Sequence, residues 1–395
     1  MIAVTTQPET DRSVSVVIPC LNEAETIAEC VTSARAVLDE TGLDGEVIVV
    51  DNASEDGSGD IARAAGATVV YEPYRGYGSA YLAGLAAAHG DYIVMADADL
   101  TYDFREIPAF VRELESGAQL VVGNRLKGIQ PGAMPWLSRI GNPILSGFLN
   151  VLYKTNVGDV HCGMRALRRD ALPVLNLRAT GMEFASEMVI RASREKLDVR
   201  EIPIELHPRL GDSKLSPLRD GWRHLRLMLV YHPNFLFTLP GAVMAFAGVV
   251  IAGAVFAEVP VFGRGLYIHT LILGCLLVIL GVQAMSCGVC ARAYNAYFIG
   301  GEDHFFDRAR ARLRLEHGLL IALVFVVAGL ALVGFLIGTW ASHGFGSLRE
   351  ERLAVVALTT IAVGAQVFFT SFLLSVIGLR RGGVDPPPPA QRPSS

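Results

Sequence analysis

The first half of the chain alternates short apolar runs with amphipathic ones. Val14–Pro19 (VSVVIP) is a β-branched run closed by a proline, which reads as a buried strand. Ile27, Val31, Ala34 and Leu38 recur at helical spacing within residues 22–40, with Asn22 placed to cap that helix. Glu46–Val50 (EVIVV) is a second strand, DNASEDGSGD a polar turn leading into a short helix, and ATVVYE a third strand. Ser79–His89 reads as a helix and DYIVMAD as a fourth strand. Alternating units of this length predict an α/β fold, a mostly parallel sheet with helices on both faces. Ligands of such sheets bind beyond the carboxyl ends of the strands.

Beyond Pro233 the pattern changes. Residues 233–257, 266–291, 318–348 and 353–379 contain no Asp, Glu, Lys or Arg. Each run exceeds the ~20 residues that cross a bilayer core, so four membrane-spanning helices are expected. Arg292, Arg308, Arg310, Arg312 and Arg314 fall between the second and third runs, and Arg380 and Arg381 follow the fourth. The positive-inside rule puts both groups on the cytoplasmic side. MIAVTTQPETDRS lacks the basic start and apolar core of a signal peptide. The expectation is an integral protein of the cell membrane with its front half and both termini in the cytoplasm.

Between the halves, Leu218, Trp222, Leu225 and Leu229 recur at helical spacing beside Arg219, Arg223 and Arg226. A basic, Trp-bearing helix next to a span reads as interfacial, the alternative being a surface helix packed on the sheet. The expected organisation is a tail (1–12), an α/β domain (13–215), an interfacial helix (216–232), a membrane domain (233–379) and a Pro-rich tail (380–395). A net charge of −5 gives no reason to expect a nucleic-acid partner. The six cysteines form no framework, Cys287 and Cys290 reading as small buried residues of a span.

Charge is concentrated where strands end. Pro19–Glu23, Asp51–Asp56 and Asp97–Asp103 all follow predicted strands and should gather along one edge of the sheet. A single Asp at a strand end is ordinarily a turn residue or a cap, and Asp103 is read as a cap or supporting residue of the following helix. Asp97-Ala98-Asp99 is different, because two carboxylates at alternate positions repel each other unless a cation joins them. A hard divalent ion such as Mg²⁺ takes oxygen ligands and bridges carboxylates to substrate phosphates.

The motifs VVIPCLNE, VVDNASEDGS, ADADLTYD, VVGNR, CGMRALRR and RLGDSKLS stand in the order seen in family-two glycosyltransferases. Over residues 13–232 the chain resembles, more narrowly, the dolichol-phosphate mannose synthase-like polyprenyl-phosphate glycosyltransferases. The resemblance implies a Rossmann-like GT-A fold that binds a nucleotide-sugar across the strand ends. It implies that Pro19, Leu21 and Glu23 hold the nucleotide, with Asp51 and Asn52 at the base or ribose. Asp97, Ala98 and Asp99 match the DxD motif that carries Mg²⁺ or Mn²⁺ and the diphosphate. Arg125 matches the arginine of a G-S-R motif, here GNR, and Arg209 and Lys214 match a basic loop that closes over the diphosphate. Thr101 and Tyr102 replace a usual Gln-His, and Glu183 stands where many members have Lys, which bears on the identity of the sugar. Glu187 matches an acidic position. Glu183 and Glu187 share a helical face, suited either to sugar-hydroxyl recognition or to pairing with the basic loop.

The activity implied is inverting transfer of a hexose, from UDP-glucose or GDP-mannose, onto a polyprenyl phosphate such as dolichyl or undecaprenyl phosphate. The acceptor needs a cationic seat, for which Arg125, Arg139 and Arg165 are candidates and His161 a weaker one. The alternatives are another membrane acceptor, a glycolipid or polysaccharide, or an inactive scaffold or flippase partner for lipid-linked sugars. The Q-x-x-R-W motif of processive synthases is absent, and the apolar runs hold almost no ionisable residues besides His269 and His343. Oligomeric state stays open, a homo-oligomer included.

Overall fold

The structure is a computed structural model that describes residues 13–210, 217–260, 265–295, 315–345 and 350–379. Lys214, the Arg308–Arg314 cluster, Arg380, Arg381 and both tails lie outside the described residues, as does the Leu218 side chain. The chain forms two compact units, divided between Met228 and Leu229.

The first unit contains β1 (Val14–Cys20), α1 (Ile27–Thr41), β2 (Gly45–Asp51), α2 (Ser58–Ala64), β3 (Thr68–Tyr71), α3 (Tyr77–Ala87) and β4 (Tyr92–Met95). It continues with α4 (Ile107–Glu115), β5 (Leu120–Asn124), α5 (Trp136–Tyr153), β6 (Arg165–Arg168), α6 (Leu172–Leu175), α7 (Phe184–Arg194) and β7 (Val199–Pro203). Helix α8 (Pro217–Tyr231) runs to the end of this unit and past it. The seven strands form one sheet in the order β3-β2-β1-β4-β6-β5-β7. The sheet is mostly parallel, β6 alone running antiparallel to its neighbours β4 and β5. Val14, Ser15, Val16, Val17 and Ile18 are wholly buried, as the apolar run predicts for a strand covered on both faces.

Register decides what the carboxyl edge presents. Cys20 pairs with Asp51, while β4 pairs with β1 only as far as Val17–Met95. Ala96 adds a last bond, its N–H donating to the Val17 carbonyl at 3.2 Å. The segment from Asp97 onward therefore leaves the sheet beside the ends of β1 and β2. Helix α3 packs tightly beneath this edge, since a Cβ on Gly84 would lie 2.4 Å from Val17 Cγ1.

Two local expectations change. Helix α1 starts at Ile27, not at Asn22, and its N-terminal Thr26 makes no side-chain capping bond to the helix. Asn22 takes a left-handed φ of +52°, which Asn tolerates, and its Oδ1 accepts the Glu55 N–H at 2.8 Å. It ties two strand-end loops together instead of capping a helix. In α8 the buried positions are His224, Met228 and Tyr231, whereas Trp222 is 60% exposed. Asp103 behaves as expected, its Oδ1 accepting the Arg105 N–H at 2.9 Å.

The second unit contains four helices long and apolar enough to cross a membrane, Asn234–Phe256, Ile268–Tyr294, Leu315–Ser342 and Glu351–Ile377. Each overlaps one of the four charge-free runs, three of them extending over a charged residue at one end. Glycines bring the first two into backbone contact: a Cβ on Gly248 would stand 2.4 Å from the Gly274 carbonyl oxygen, and one on Gly281 2.5 Å from that of Gly241. Such small-residue contact lets helices in lipid associate by close packing.

Candidate active site

A cleft of about 320 Å³ opens at the carboxyl edge of the sheet, entirely within the first unit. Pro19, Leu21, Glu23, Asn52, Asp97, Ala98, Asp99, Arg125 and Arg209 line it, so most of the predicted site residues come together.

The Asp97–Tyr102 segment is held from several sides. Thr26 Oγ1 donates to the Ala98 carbonyl at 2.6 Å, anchoring the centre of the motif to the start of α1. Asp97 Oδ1 accepts from the Tyr77 hydroxyl at 3.1 Å and the Tyr81 hydroxyl at 3.4 Å. Its other oxygen lies against Gly163, where a Cβ would come within 2.4 Å. Burial and the nearby Asp99 carboxylate push the Asp97 carboxyl up to about 7. Asp99 Oδ1 accepts from Thr101 Oγ1 at 2.6 Å and from its N–H at 3.2 Å. Between them Leu100 adopts a φ of +59°, a costly conformation for a bulky residue and one that concentrates at functional sites.

Among the described residues, no three His, Cys, Asp or Glu side chains gather as a metal cluster. Two carboxylates alone suit an ion that draws its remaining ligands from substrate and water. Burial first and the Asp99 carboxylate second raise the Asp97 carboxyl, and a divalent cation would offset both.

Arg209 reaches into this acidic corner. Its guanidinium donates to Glu23 Oε1 at 2.6 Å and lies 3.3 Å from Asp99 Oδ2. Arg125 is engaged differently: Nε and Nη2 bond both oxygens of the fully buried Asp159 at 2.7 and 2.9 Å, and Nη1 donates to the Tyr102 hydroxyl at 3.3 Å. Burial opposes this charge, yet Tyr102 and Asp159 outweigh it and hold the guanidinium well above its ordinary value. Tyr102 also accepts the Gly163 N–H at 2.8 Å, linking Arg125 to the glycine beside Asp97.

Other predicted residues take supporting places. Asn52 is 3% exposed, its amide donating to the Glu72 and Tyr74 carbonyls and accepting the Gly76 N–H. It builds the cleft wall by tying the end of β2 to the 72–76 loop. Asp51 stands outside the lining residues and accepts the Ser54 N–H at 2.9 Å. Thr101 orients Asp99 without lining the cleft. Glu183 lies outside the lining too, while its neighbour Met182 belongs to it. Glu187 is 1% exposed and accepts the Arg178 and Ala179 N–H groups at 2.9 and 2.7 Å, so it braces a loop instead of facing a sugar.

Two arginines expected at the cationic seat do not line the cleft. Arg165 is 1% exposed, and its Nε, Nη1 and Nη2 donate to the carbonyls of Cys162, Ala185 and Val160. As the first residue of β6 it is inserted between β4 and β5, where burial lowers its pKa. It is a brace of the interior. Arg139 is exposed on α5 and does not line the cleft. His161 does line it, with both ring nitrogens buried and unpartnered and its ring edge-on to His224 at 4.3 Å. Burial, then His224, Arg125 and Arg165, hold His161 well below the usual imidazole pKa.

Sequence reasoning missed Asp159, Tyr77, Tyr81 and Gly163. The spacing of tyrosines in GYGSAY gave one usable sign, four residues apart on a helical face. It also missed Arg219, Asp220 and Arg223 of α8 as lining residues, and the exposed apolar face of α5. Trp136, Ile140, Ile144 and Val151 on that helix are 73%, 55%, 64% and 76% exposed.

Comparison with known proteins follows the same division of the chain. Residues 15–175 match the glycosyl transferase family 2 model, and residues 289–378 match the model of the family 2 C-terminal transmembrane region. A low-salt glycan biosynthesis hexosyltransferase of Haloferax volcanii is 42% identical over 369 residues, covering 93% of this chain and 89% of that protein. A dolichyl-phosphate hexose transferase of the same organism is 32% identical over 209 residues, covering 52% of this chain and 88% of that one. Among solved structures, glucosyl-3-phosphoglycerate synthase from Mycobacterium tuberculosis, in complex with Mn²⁺, UDP and glucosyl-3-phosphoglycerate, is similar with a TM-score of 0.46 at 24% identity. That match covers 55% of this chain and 79% of the synthase. With a mostly parallel sheet, four membrane-competent helices and near full-length similarity to a hexosyltransferase, this membrane protein belongs to glycosyltransferase family 2.

Proposed function

We propose that the protein transfers a hexose from a nucleotide-sugar to a polyprenyl phosphate, with inversion, at the cytoplasmic face of the cell membrane. The observation that carries this reading is the meeting of Asp97 and Asp99 with Arg209 in one cleft at the sheet's carboxyl edge. The four spans and the exposed apolar face of α5 favour an acceptor held in lipid.

The residues present fit a divalent ion. Asp97 and Asp99 would hold Mg²⁺ or Mn²⁺, which would supply positive charge to the leaving diphosphate. Thr101 keeps the Asp99 carboxylate oriented, and Tyr77 and Tyr81 do the same for Asp97. Arg209 turns from Glu23 and Asp99 onto the diphosphate once the donor is bound, adding a charge-assisted contact. The residues that hold the nucleotide are the cleft segments Pro19–Glu23 and Asn52, with Lys214 assigned to the same diphosphate by its match to the basic loop.

The reacting bonds balance without a base. A phosphate oxygen of the acceptor forms a bond to the anomeric carbon as the bond to the donor diphosphate breaks, and nucleoside diphosphate leaves with the electron pair. A phosphate monoester has a second pKa of about 6 and is already largely dianionic near neutrality. No carboxylate is needed as general base, which frees the acidic corner for the cation.

The test uses purified full-length protein with a short-chain polyprenyl phosphate and Mg²⁺ or Mn²⁺. UDP-glucose, GDP-mannose and UDP-N-acetylglucosamine are offered separately, and sugar entering the organic phase is followed by mass spectrometry. A lipid-linked hexose from one donor, lost in Asp99→Asn, is the expected outcome. Nucleotide-sugar binding without any lipid product would overturn the acceptor.

A further inference from the structure

Polar side chains lining the cleft differ in whether their hydrogen bonds are already spent. Tyr77 gives its hydroxyl proton to Asp97, and Asn52 uses both ends of its amide on the 72–76 loop. Arg125 is taken by Asp159, and Arg209 by Glu23 and Asp99. Tyr102 and His161 line the same cleft with capacity left over.

The Tyr102 oxygen accepts the Gly163 N–H at 2.8 Å and an Arg125 N–H at 3.3 Å. Its lone pairs are thereby committed, and the hydroxyl proton is what it has left to give. Among the described residues that proton meets no acceptor. Two N–H donors on one oxygen also polarise its O–H and strengthen the bond it makes. His161 is more open still, since both ring nitrogens are buried and neither has a partner. Burial, His224, Arg125 and Arg165 keep this imidazole neutral, so it offers one donor and one acceptor. Buried polar atoms left unpaired cost free energy that a ligand's hydroxyl would recover. A hydroxyl both gives and takes a hydrogen bond, which suits a neutral imidazole better than an anion that only takes one. Tyr102 is tied to the carboxylate pair through Gly163, which lies against the second Asp97 oxygen. Ala80 and Met182 add apolar lining for the C–H faces of a ring.

We propose that His161 and Tyr102 hold hydroxyl groups of the donor's hexose, seated between Asp97 and Arg125, and so select the sugar. The inference rests on the transfer reading above and deepens it by naming the side chains that read the transferred group. Glu183 and Glu187, the acidic residues expected at the sugar from the sequence, do not line the cleft, which leaves hydroxyl recognition to other groups. The placement also suits a group in transit. The carboxylate pair marks the diphosphate that the hexose leaves, and the Tyr102 hydroxyl bridges from the glycine beside that pair to Arg125.

The experiment compares a nucleotide with its own sugar derivative, on the full chain with Mn²⁺ and without acceptor. Affinities for UDP and UDP-glucose, and for GDP and GDP-mannose, are measured by titration calorimetry for the wild type, His161→Phe, His161→Gln and Tyr102→Phe. His161→Phe is expected to weaken the nucleotide-sugar roughly ten- to a hundredfold and to leave the bare nucleotide unchanged. His161→Gln keeps a donor and an acceptor and should recover part of that loss, while Tyr102→Phe should weaken the sugar derivative selectively too. Equal weakening of nucleotide and nucleotide-sugar would mean that these side chains only shape the cleft, and would overturn the seat, as would no weakening of either. Deoxy donors, each lacking a single hydroxyl of the hexose, form the second arm. One of them should bind the wild type as weakly as the intact donor binds His161→Phe, and should lose nothing more in that variant. Further loss with every deoxy donor would show that His161 does not act through a hydroxyl, and the seat falls. Native mass spectrometry with a short-chain polyprenyl phosphate should find lipid binding unchanged in His161→Phe; loss of that binding alone would give His161 to the acceptor and overturn the seat. If hexose binding depends on His161 yet no lipid product forms, the transfer reading falls and the seat stands. If product forms without that dependence, the seat falls and the transfer reading stands.

Discussion

In the proposed reading, Asp159 and Thr101 act on the site through the side chains they hold, Arg125 and Asp99. Asp159 is fully buried and bonds Arg125 through both oxygens, so the pair's desolvation is offset only while both partners are present. Asp159→Asn should destabilise the first unit by about 3–5 kcal/mol, read as a lower thermal midpoint, because it strands a buried guanidinium. An Arg125→Met/Asp159→Leu double variant should regain most of that stability while losing activity. If the single variant is as stable as the wild type, the pair does not anchor the first unit. Thr101 acts on Asp99 through a 2.6 Å bond. Thr101→Val should leave the fold intact and weaken Mn²⁺ binding about ten- to a hundredfold, as outer partners of metal ligands do. Unchanged affinity in a Mn²⁺ titration would remove Thr101 from the site.

At the scale of elements, α8 is held by a buried polar contact. Burial, opposed by Asp220 and reinforced by Arg165 and Arg223, lowers the His224 pKa to about 4, and the edge-on His161 imidazole is lowered too. The unfolded chain, with a histidine near 6.5, binds a proton that the folded state refuses between those values. The contribution of His224 is therefore fully present above about 6.5 and is lost as pH falls toward 4, by up to about 3 kcal/mol. His224→Asn, which keeps a polar partner for Ser186, should flatten stability against pH across that window. An unchanged slope in denaturant titrations would locate the acid sensitivity elsewhere. The β-α alternation was legible because strands and helices carry different apolar periods. The start of α1 was not, since Asn22 spends its side chain on the Glu55 backbone, a contact made only when two loops meet.

At the scale of the molecule, two units have been built on different rules. The first buries alternating faces against one sheet, while the second joins helices whose surfaces are apolar on all sides. Backbone contact at Gly248 and Gly274 is one of two equally close approaches in the second unit's first helix pair, the other being at Gly281. Gly248→Val should lower the thermal midpoint in detergent while leaving UDP or GDP binding by the first unit unchanged. Unaltered melting would show that the two helices separate freely. Loss of nucleotide binding would show that the units depend on one another for folding.

The order of the first four strands with the helices among them, the four spans and the DxD carboxylates were determined by the sequence itself, because hydrophobic period, run length and local spacing are properties of neighbours along the chain. Even the gathering of Glu23, Asn52 and Asp97–Asp99 followed, since strand ends of a parallel sheet share one edge. Which arginines serve that edge was decided only by tertiary structure. Arg165 begins a strand of four residues, too short for its pattern to say which way it points, and antiparallel insertion between β4 and β5 places it in the interior. Arg125 finds Asp159 across 34 residues of chain, and Arg219 and Arg223 line the cleft on a helix that buries His224 and Met228. A guanidinium can brace a fold or bind a phosphate with the same atoms, and only the groups packed around it decide between the two.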